Sequence, residues 1–198
     1  ATPLARQGYD VKLIDGFASS TWKRDLLEAV RQKPICFGVT SMTGPQILHA
    51  LEGSRLVRGA HPDVPIIWGG IHSTLLPEQT LESPYVDMIV AGEGDATFEE
   101  LVKALETRTP LSHVKGIWYK EDGKAHFTGD RAFVDLDAQP PLSYELIDMD
   151  RYRRRLFDKD HVSFTSSRGC TFNCAFCWEP AMNKRKWRAL KSETVLEH

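Results

Sequence analysis

Cys170, Cys174 and Cys177 lie in the run Cys170-Thr171-Phe172-Asn173-Cys174-Ala175-Phe176-Cys177, a C-x3-C-x2-C spacing that brings three thiols within eight residues. So compact a loop can wrap three thiolates around three irons of a 4Fe-4S cubane and leave the fourth iron open to an outside ligand. An electron-transfer cluster instead closes all four positions with protein thiolates. The alternative is a structural zinc site, which needs a fourth ligand such as Cys36, His161 or a distant residue. Neither named residue stands at a zinc-like spacing from the trio. Lys184, Arg185, Lys186, Arg188 and Lys191 follow the loop; they face an anionic ligand or the cluster's own charge, or else begin a solvated helix. Trp178 and Trp187 read as packing residues.

A second set of candidates follows short apolar runs further upstream. These are Thr40-Ser41-Met42-Thr43-Gly44, Gly69-Gly70-Ile71-His72-Ser73-Thr74 and Gly92-Glu93-Gly94-Asp95. Ligands of doubly wound sheets bind just beyond the carboxyl ends of the strands, where these segments fall. Glycine lets a bulky or flat ligand approach the backbone, and hydroxyls can bond its polar rim.

The elements that would carry both sets follow from periodicity. Residues 11–14, 35–40, 66–68 and 88–90 read as strands alternating with amphipathic segments, the pattern of an α/β domain with a parallel sheet. Helices are expected near 20–32, with Trp22, Leu26 and Val30 on one face, and near 45–58, with Ile47, Leu48 and Leu51. Phe98, Leu101, Val102 and Leu105 mark a further helix at i, i+3, i+4, i+7 spacing, with Asp95 or Thr97 to cap it. Residues 114–119 and 125–128 flank Asp122-Gly123, a pair suited to a tight hairpin turn, and read as an antiparallel edge.

Domain organisation follows: an α/β domain over 1–128, a linker over 129–160 containing Pro140, Pro141 and the solvated run Arg153-Arg154-Arg155, and the start of a second domain over 161–198. A strand at 161–166 is expected to deliver the chain to the cysteines. A (β/α) barrel needs roughly 200 residues, so this second domain reads as truncated. Leu196-Glu197-His198 reads equally as tag or native sequence.

With 41% hydrophobic and 26% charged residues among 198, the composition excludes disordered and fibrous classes. No apolar run approaches the ~18 residues of a membrane span and no signal-peptide pattern opens the chain, so a cytoplasmic location is expected. A net charge of −2 gives no reason to expect nucleic acid or an anionic membrane as partner. Four cysteines, three of them adjacent, make a poor disulfide framework, and Cys36 in its apolar run reads as an inert buried thiol.

The cysteine loop resembles the signature of the radical S-adenosylmethionine (SAM) superfamily, including the aromatic Phe176 before the last cysteine. The resemblance implies that SAM chelates the open iron, that Phe176 lies close to its adenine, and that an electron from the cluster releases a 5′-deoxyadenosyl radical. The upstream turns resemble those of the cobalamin-binding domain fused in front of such barrels. Ser41, Gly69 and Gly70 match the serine and Gly-Gly pair that enclose the cobalamin tail in related domains, and Gly92-Glu93-Gly94-Asp95 resembles the turn that closes the domain. Thr43, His72, Gly92 and Glu93 join them as expected cofactor contacts.

The Asp-x-His-x-x-Gly motif that supplies a cobalt ligand in the mutases is absent from this sequence, and His72 is expected to line its turn rather than ligate cobalt. The radical SAM methylthiotransferases are disfavoured, because they hold a second cluster in the N-terminal domain and only Cys36 is available here. The resemblance implies a cobalamin-dependent radical SAM enzyme, most readily a methyltransferase with methylcobalamin as methyl carrier, an external electron donor and a small-molecule or peptide substrate. The rival readings are a non-catalytic cofactor-binding fragment and a flavodoxin-like domain that binds no cobalamin. The piece alone is expected to be inactive.

Overall fold

The structure, a computed structural model, describes residues 1–152, 154–156, 159–161 and 163–197, with the backbone alone at 154–156 and 159–161. In chain order the first elements are α1 (Thr2–Arg6), α2 (Trp22–Val30), β1 (Phe37–Thr40), α3 (Gln46–Ala60) and β2 (Ile66–Gly69). Next come α4 (Ile71–Leu75), α5 (Pro77–Glu82), β3 (Met88–Val90), α6 (Gly94–Thr107), β4 (Ile117–Glu121) and β5 (Lys124–Phe127). β1, β2 and β3 are parallel neighbours, and β4 and β5 continue the sheet antiparallel in the order β1-β2-β3-β4-β5. This is the expected α/β fold with its antiparallel edge. The hairpin turns through Asp122 and Gly123, both at positive φ (50° and 74°), as the Asp-Gly pair requires.

Alternation along the strands divides the core. Ile66, Trp68 and Ile89 point to one face, where Leu26, Val30, Ala50 and Val57 of α2 and α3 cover them together with Leu81 and Val86. Ile67, Met88 and Val90 point to the other, under Leu101 and Ala104 of α6 with Ile117 and Cys36. Helices on both faces explain why β2 is a continuous apolar run rather than an alternating one. The buried face of α3 is made of small residues, Ala50, Gly53, Ser54 and Val57. They let the sheet approach closely, and Ser54 Oγ accepts the Trp68 indole N–H at 2.9 Å.

Several expectations change. Residues 11–14 join no strand ladder, and Leu13 is 46% exposed; an apolar run becomes a strand only when a neighbour satisfies its backbone groups. The turn after β2 is helical at once, α4 carrying His72, and α5 was not foreseen because both helices are too short to show periodicity. Neither Asp95 nor Thr97 caps α6, which starts at Gly94 with no side-chain cap; Thr97 is fully buried and Asp95 bonds elsewhere.

Beyond the sheet lie β6 (Arg154–Leu156), β7 (Lys159–His161), β8 (Ser167–Arg168), α7 (Glu179–Asn183), β9 (Arg188–Ala189) and α8 (Ser192–Glu197). Within the expected strand 161–166, Val162 lies outside the described residues, His161 pairs antiparallel with Arg154, and 163–166 join no ladder. The cysteine segment is instead rooted by the antiparallel pair β8–β9. Trp187, expected to pack, is 59% exposed.

Candidate functional site

The three upstream turns meet along the carboxyl edge of the parallel strands, stitched by hydrogen bonds. Ser41 N–H donates to Gly69 O and His72 N–H to Ser41 O, both at 3.1 Å. Thr74 Oγ1 donates to Gly70 O at 2.8 Å and accepts from Gly92 N–H at 3.0 Å, joining the second turn to the third.

Gly70 is obligatory at this seam. Its φ is +90°, and a Cβ there would lie 2.8 Å from Thr40 Oγ1 and 2.9 Å from Ser41 O. The close approach it permits is of turn to turn. Gly92, at φ +73°, has open space where a Cβ would be, and a Cβ on Gly69 would meet only ordinary contacts.

The other expected contacts divide between ligand-facing and internal. Thr43 is exposed at the edge, its Oγ1 3.4 Å from His72 Nδ1. His72 is buried in its turn. Ser41 is 1% exposed and its hydroxyl donates to Met42 O at 3.2 Å, so it serves the turn's own backbone. Around Thr43 the edge exposes Met42 and Leu48, and Phe17 lies edge-on to His49 with 83% of its surface exposed. The edge therefore offers small residues, open backbone and apolar surface, a combination that fits a large flat cofactor such as cobalamin.

The cysteine loop hangs between β8 and α7. Cys170 and Cys177 are half-buried and Cys174 is exposed, all as free thiols. Cys177 N–H donates to Cys174 O at 3.0 Å, closing a tight turn between the last two cysteines. Phe176 is 94% and Phe172 71% exposed. Among the described residues, no three His, Cys, Asp or Glu side chains converge as a metal cage. The donor set suits an iron-sulfur cluster with one open iron; the thiols are not gathered in advance of it. Cys36 is a different thiol, half-buried, with its pKa pushed up to about 12 by burial.

The contact between loop and sheet is ionic and was not foreseen. Arg168, two residues before Cys170, donates to Asp95 at 2.6 and 3.3 Å and to Glu93 at 3.2 Å. Arg188 donates to both oxygens of Glu93, at 2.5 and 3.2 Å, to Val134 O and to Asn183, and stacks 4.3 Å above the Phe133 ring. Burial alone would raise the Asp95 carboxyl, but the Arg168 hydrogen bonds and charge outweigh it and hold the carboxyl below the usual carboxylate range. Glu93, expected at the cofactor, has its oxygens turned to the two arginines.

Much of the basic run is likewise matched within the chain. Lys184 pairs with Asp130 at 2.6 Å, Arg185 donates to Thr171 O, and Asp137 accepts from Lys191 N–H and Thr194 Oγ1. Residues 130–137 thus bind the cysteine segment, while Arg131 pairs with Glu100 of α6. The signal available in the sequence was an acidic turn, Glu93 and Asp95, and two arginines bracketing the cysteines. Their separation along the chain hid it. Open clefts of about 340 and 240 Å³ lie on the two sides of this contact, the first lined by Asp95, Arg168 and Leu190, the second by Glu93, Phe133 and Met182.

Residues 1–102 match the family model described as the B12 binding domain. The chain belongs to the B12-binding domain family. The B12-binding domain accounts for the three parallel strands and most of α6, and relatives continue past it. An uncharacterized methyltransferase of Pyrococcus horikoshii is 34% identical over 200 residues, 98% of this chain and 42% of that protein. An anaerobic magnesium-protoporphyrin IX monomethyl ester cyclase of Rubrivivax gelatinosus is 31% identical over 182 residues, 88% of this chain and 32% of that one. The chain therefore spans less than half the length of either relative.

The solved radical SAM methyltransferase TsrM of Kitasatospora setae, with cobalamin and a [4Fe-4S] cluster bound, superposes with a TM-score of 0.77 at 19% identity, over 99% of this chain and 40% of that one. Sheet and cysteine segment together therefore follow one known fold, and the family resemblance read from the sequence is borne out.

Proposed function

We propose that this chain is the cofactor-bearing part of a cobalamin-dependent radical SAM methyltransferase. Cobalamin lies along the edge formed by Ser41, Thr43, Gly69, Gly70 and Gly92, and Cys170, Cys174 and Cys177 hold a 4Fe-4S cluster whose open iron takes SAM beside Phe176. When bound, the cluster supplies the electron that cleaves SAM and cobalamin carries the methyl group.

The chain's own residues do the placing. The turns after β1, β2 and β3 keep the edge open, and the β8–β9 pair roots the segment that carries the thiols. The observation that carries this reading is the bond from Arg168, at the root of the cysteine loop, to Asp95, in the turn that closes the ligand edge of a B12-binding domain. It ties the root of the cysteine loop to the segment after β3, which supports a site shared by two cofactors, as an enzyme using both requires. Cytoplasmic location, an external electron donor and a small-molecule or peptide substrate belong to the same proposal, with no role for nucleic acid. Among the described residues no helix is long and apolar enough to cross a membrane.

Anaerobic reconstitution with iron, sulfide and hydroxocobalamin, followed by desalting, metal analysis and an absorbance spectrum, tests the reading. The expected result is bound cobalamin with about four irons per chain, the iron lost in Cys174→Ala and the cobalamin kept. Zinc in place of iron, or iron unaffected by the substitution, overturns the cluster; absence of cobalamin overturns the methyltransferase.

A further inference from the structure

β8 and β9 set Arg168 directly opposite Arg188, so two like charges face each other across the strand pair and repel unless an anion lies between them. Glu93 is that anion. Its Oε1 accepts from Arg188 at 2.5 Å and from Arg168 at 3.2 Å, while Oε2 accepts a second bond from Arg188 at 3.2 Å. Asp95 takes the fork of Arg168, at 2.6 and 3.3 Å.

Two cations and two anions thus close on one another. The Glu93 side chain is the most sheltered of them, 9% exposed against 20% for Arg188 and 37% for Arg168. Paired forks of this kind fix orientation as well as distance.

Between the two arginines lie the cysteine loop and α7. Apolar packing does little to hold this stretch: Phe172, Phe176 and Trp187 are 71%, 94% and 59% exposed. Its first residue, Gly169, passes so close to the other stem that a Cβ would lie 1.9 Å from Lys186 O. The stems are therefore tight, and both are moored to a single carboxylate that belongs to the sheet.

We infer that Glu93 is the positioning residue of the cysteine loop, a clamp from the turn after β3 that fixes both stems and so sets where the three thiols stand relative to the edge. The identity of the loop as a cluster loop rests on the proposed function; the clamp does not. Asp95 assists at one stem only. The asymmetry is the distinctive consequence: loss of Glu93 loosens both stems, the Arg188 stem more because Arg168 keeps its fork to Asp95, whereas loss of Asp95 loosens the Arg168 stem alone.

Amide hydrogen exchange of the metal-free, full 198-residue chain tests the clamp without any cofactor. In Glu93→Gln, exchange is expected to rise about tenfold at 186–189 and by a smaller factor at 167–169, where Asp95 still holds Arg168, while β1 to β3 exchange as in the wild type. In Asp95→Asn the rise is confined to 167–169. Unchanged exchange at either stem in Glu93→Gln overturns the inference.

If Glu93→Gln exchanges fast throughout the sheet, Arg188→Lys decides instead, since it keeps the charge and removes the fork. Faster exchange at 186–189 alone then supports the clamp, and no change overturns it. After reconstitution, the reduced-cluster EPR signal of Glu93→Gln is expected to broaden relative to Glu52→Gln, an exposed pair on α3. Absence of a cluster in the wild type would fail the proposed function while leaving the exchange result to judge the clamp.

Discussion

The sheet and the cysteine segment are held together by different forces. In the sheet, Ile66, Val57, Val86, Ile89, Leu101 and Ile117 are completely buried and Trp68 nearly so. Burial of that kind stabilises a fold without regard to direction. Among the described residues of the cysteine segment almost nothing apolar is buried, and the segment is secured by Arg168, Lys184, Arg188 and the 130–137 stretch reaching acids and carbonyls of the rest of the chain. A loop proposed to accept an inorganic cluster benefits from this arrangement. Its anchors are at the stems, and its interior is not already filled.

The contrast is broken most forcefully from the sheet side. Trp68→Ala removes the largest buried side chain and orphans the Ser54 hydroxyl. It is expected to cost about 3–5 kcal/mol and to appear as a large fall in the urea midpoint, with sheet and cysteine segment lost together. Retention of the midpoint would mean that the core is not centred on β2.

The ionic side predicts a smaller and pH-dependent effect. Asp95→Asn is expected to cost about 2 kcal/mol at neutral pH, the order of a charged hydrogen bond. The folded carboxyl is held below its ordinary value. The stabilisation is therefore fully present above the unfolded value of about 4 and is lost as pH falls through the lower folded value. Urea titrations of wild type and Asp95→Asn should differ at pH 7 and converge on acidification. A gap that persists at pH 2 would show that the contribution is not that of the ionised pair.

The smallest effect sharpens the contrast thiol by thiol. Alkylation of the folded metal-free protein at pH 8 is expected to label Cys174 readily and to leave Cys36 untouched, because burial keeps Cys36 in the protonated form. Peptide mass spectrometry reads both sites, and labelling of Cys36 before unfolding would place it outside the core.

The sequence by itself determined the parts whose signals are local. Phe98, Leu101, Val102 and Leu105 declare their helix at one spacing, the apolar run of β2 announces a strand covered on both faces, and Asp122-Gly123 specifies its turn. The cysteine spacing, within eight residues, is what suggests a cluster. Each of these is settled within a turn or two of chain, where periodicity and backbone sterics act.

The tertiary structure alone decided what depends on neighbours distant in sequence. Residues 11–14 have the composition of a strand and no ladder to join. Gly70 is needed because Thr40 and Ser41 pass against it, and the hydroxyl of Ser41 turns to its own backbone. Glu93 and Asp95 face Arg168 and Arg188 from 73 to 95 residues away. No local pattern selects such a pairing, because Coulomb attraction acts on the distance that folding creates and not on separation along the chain.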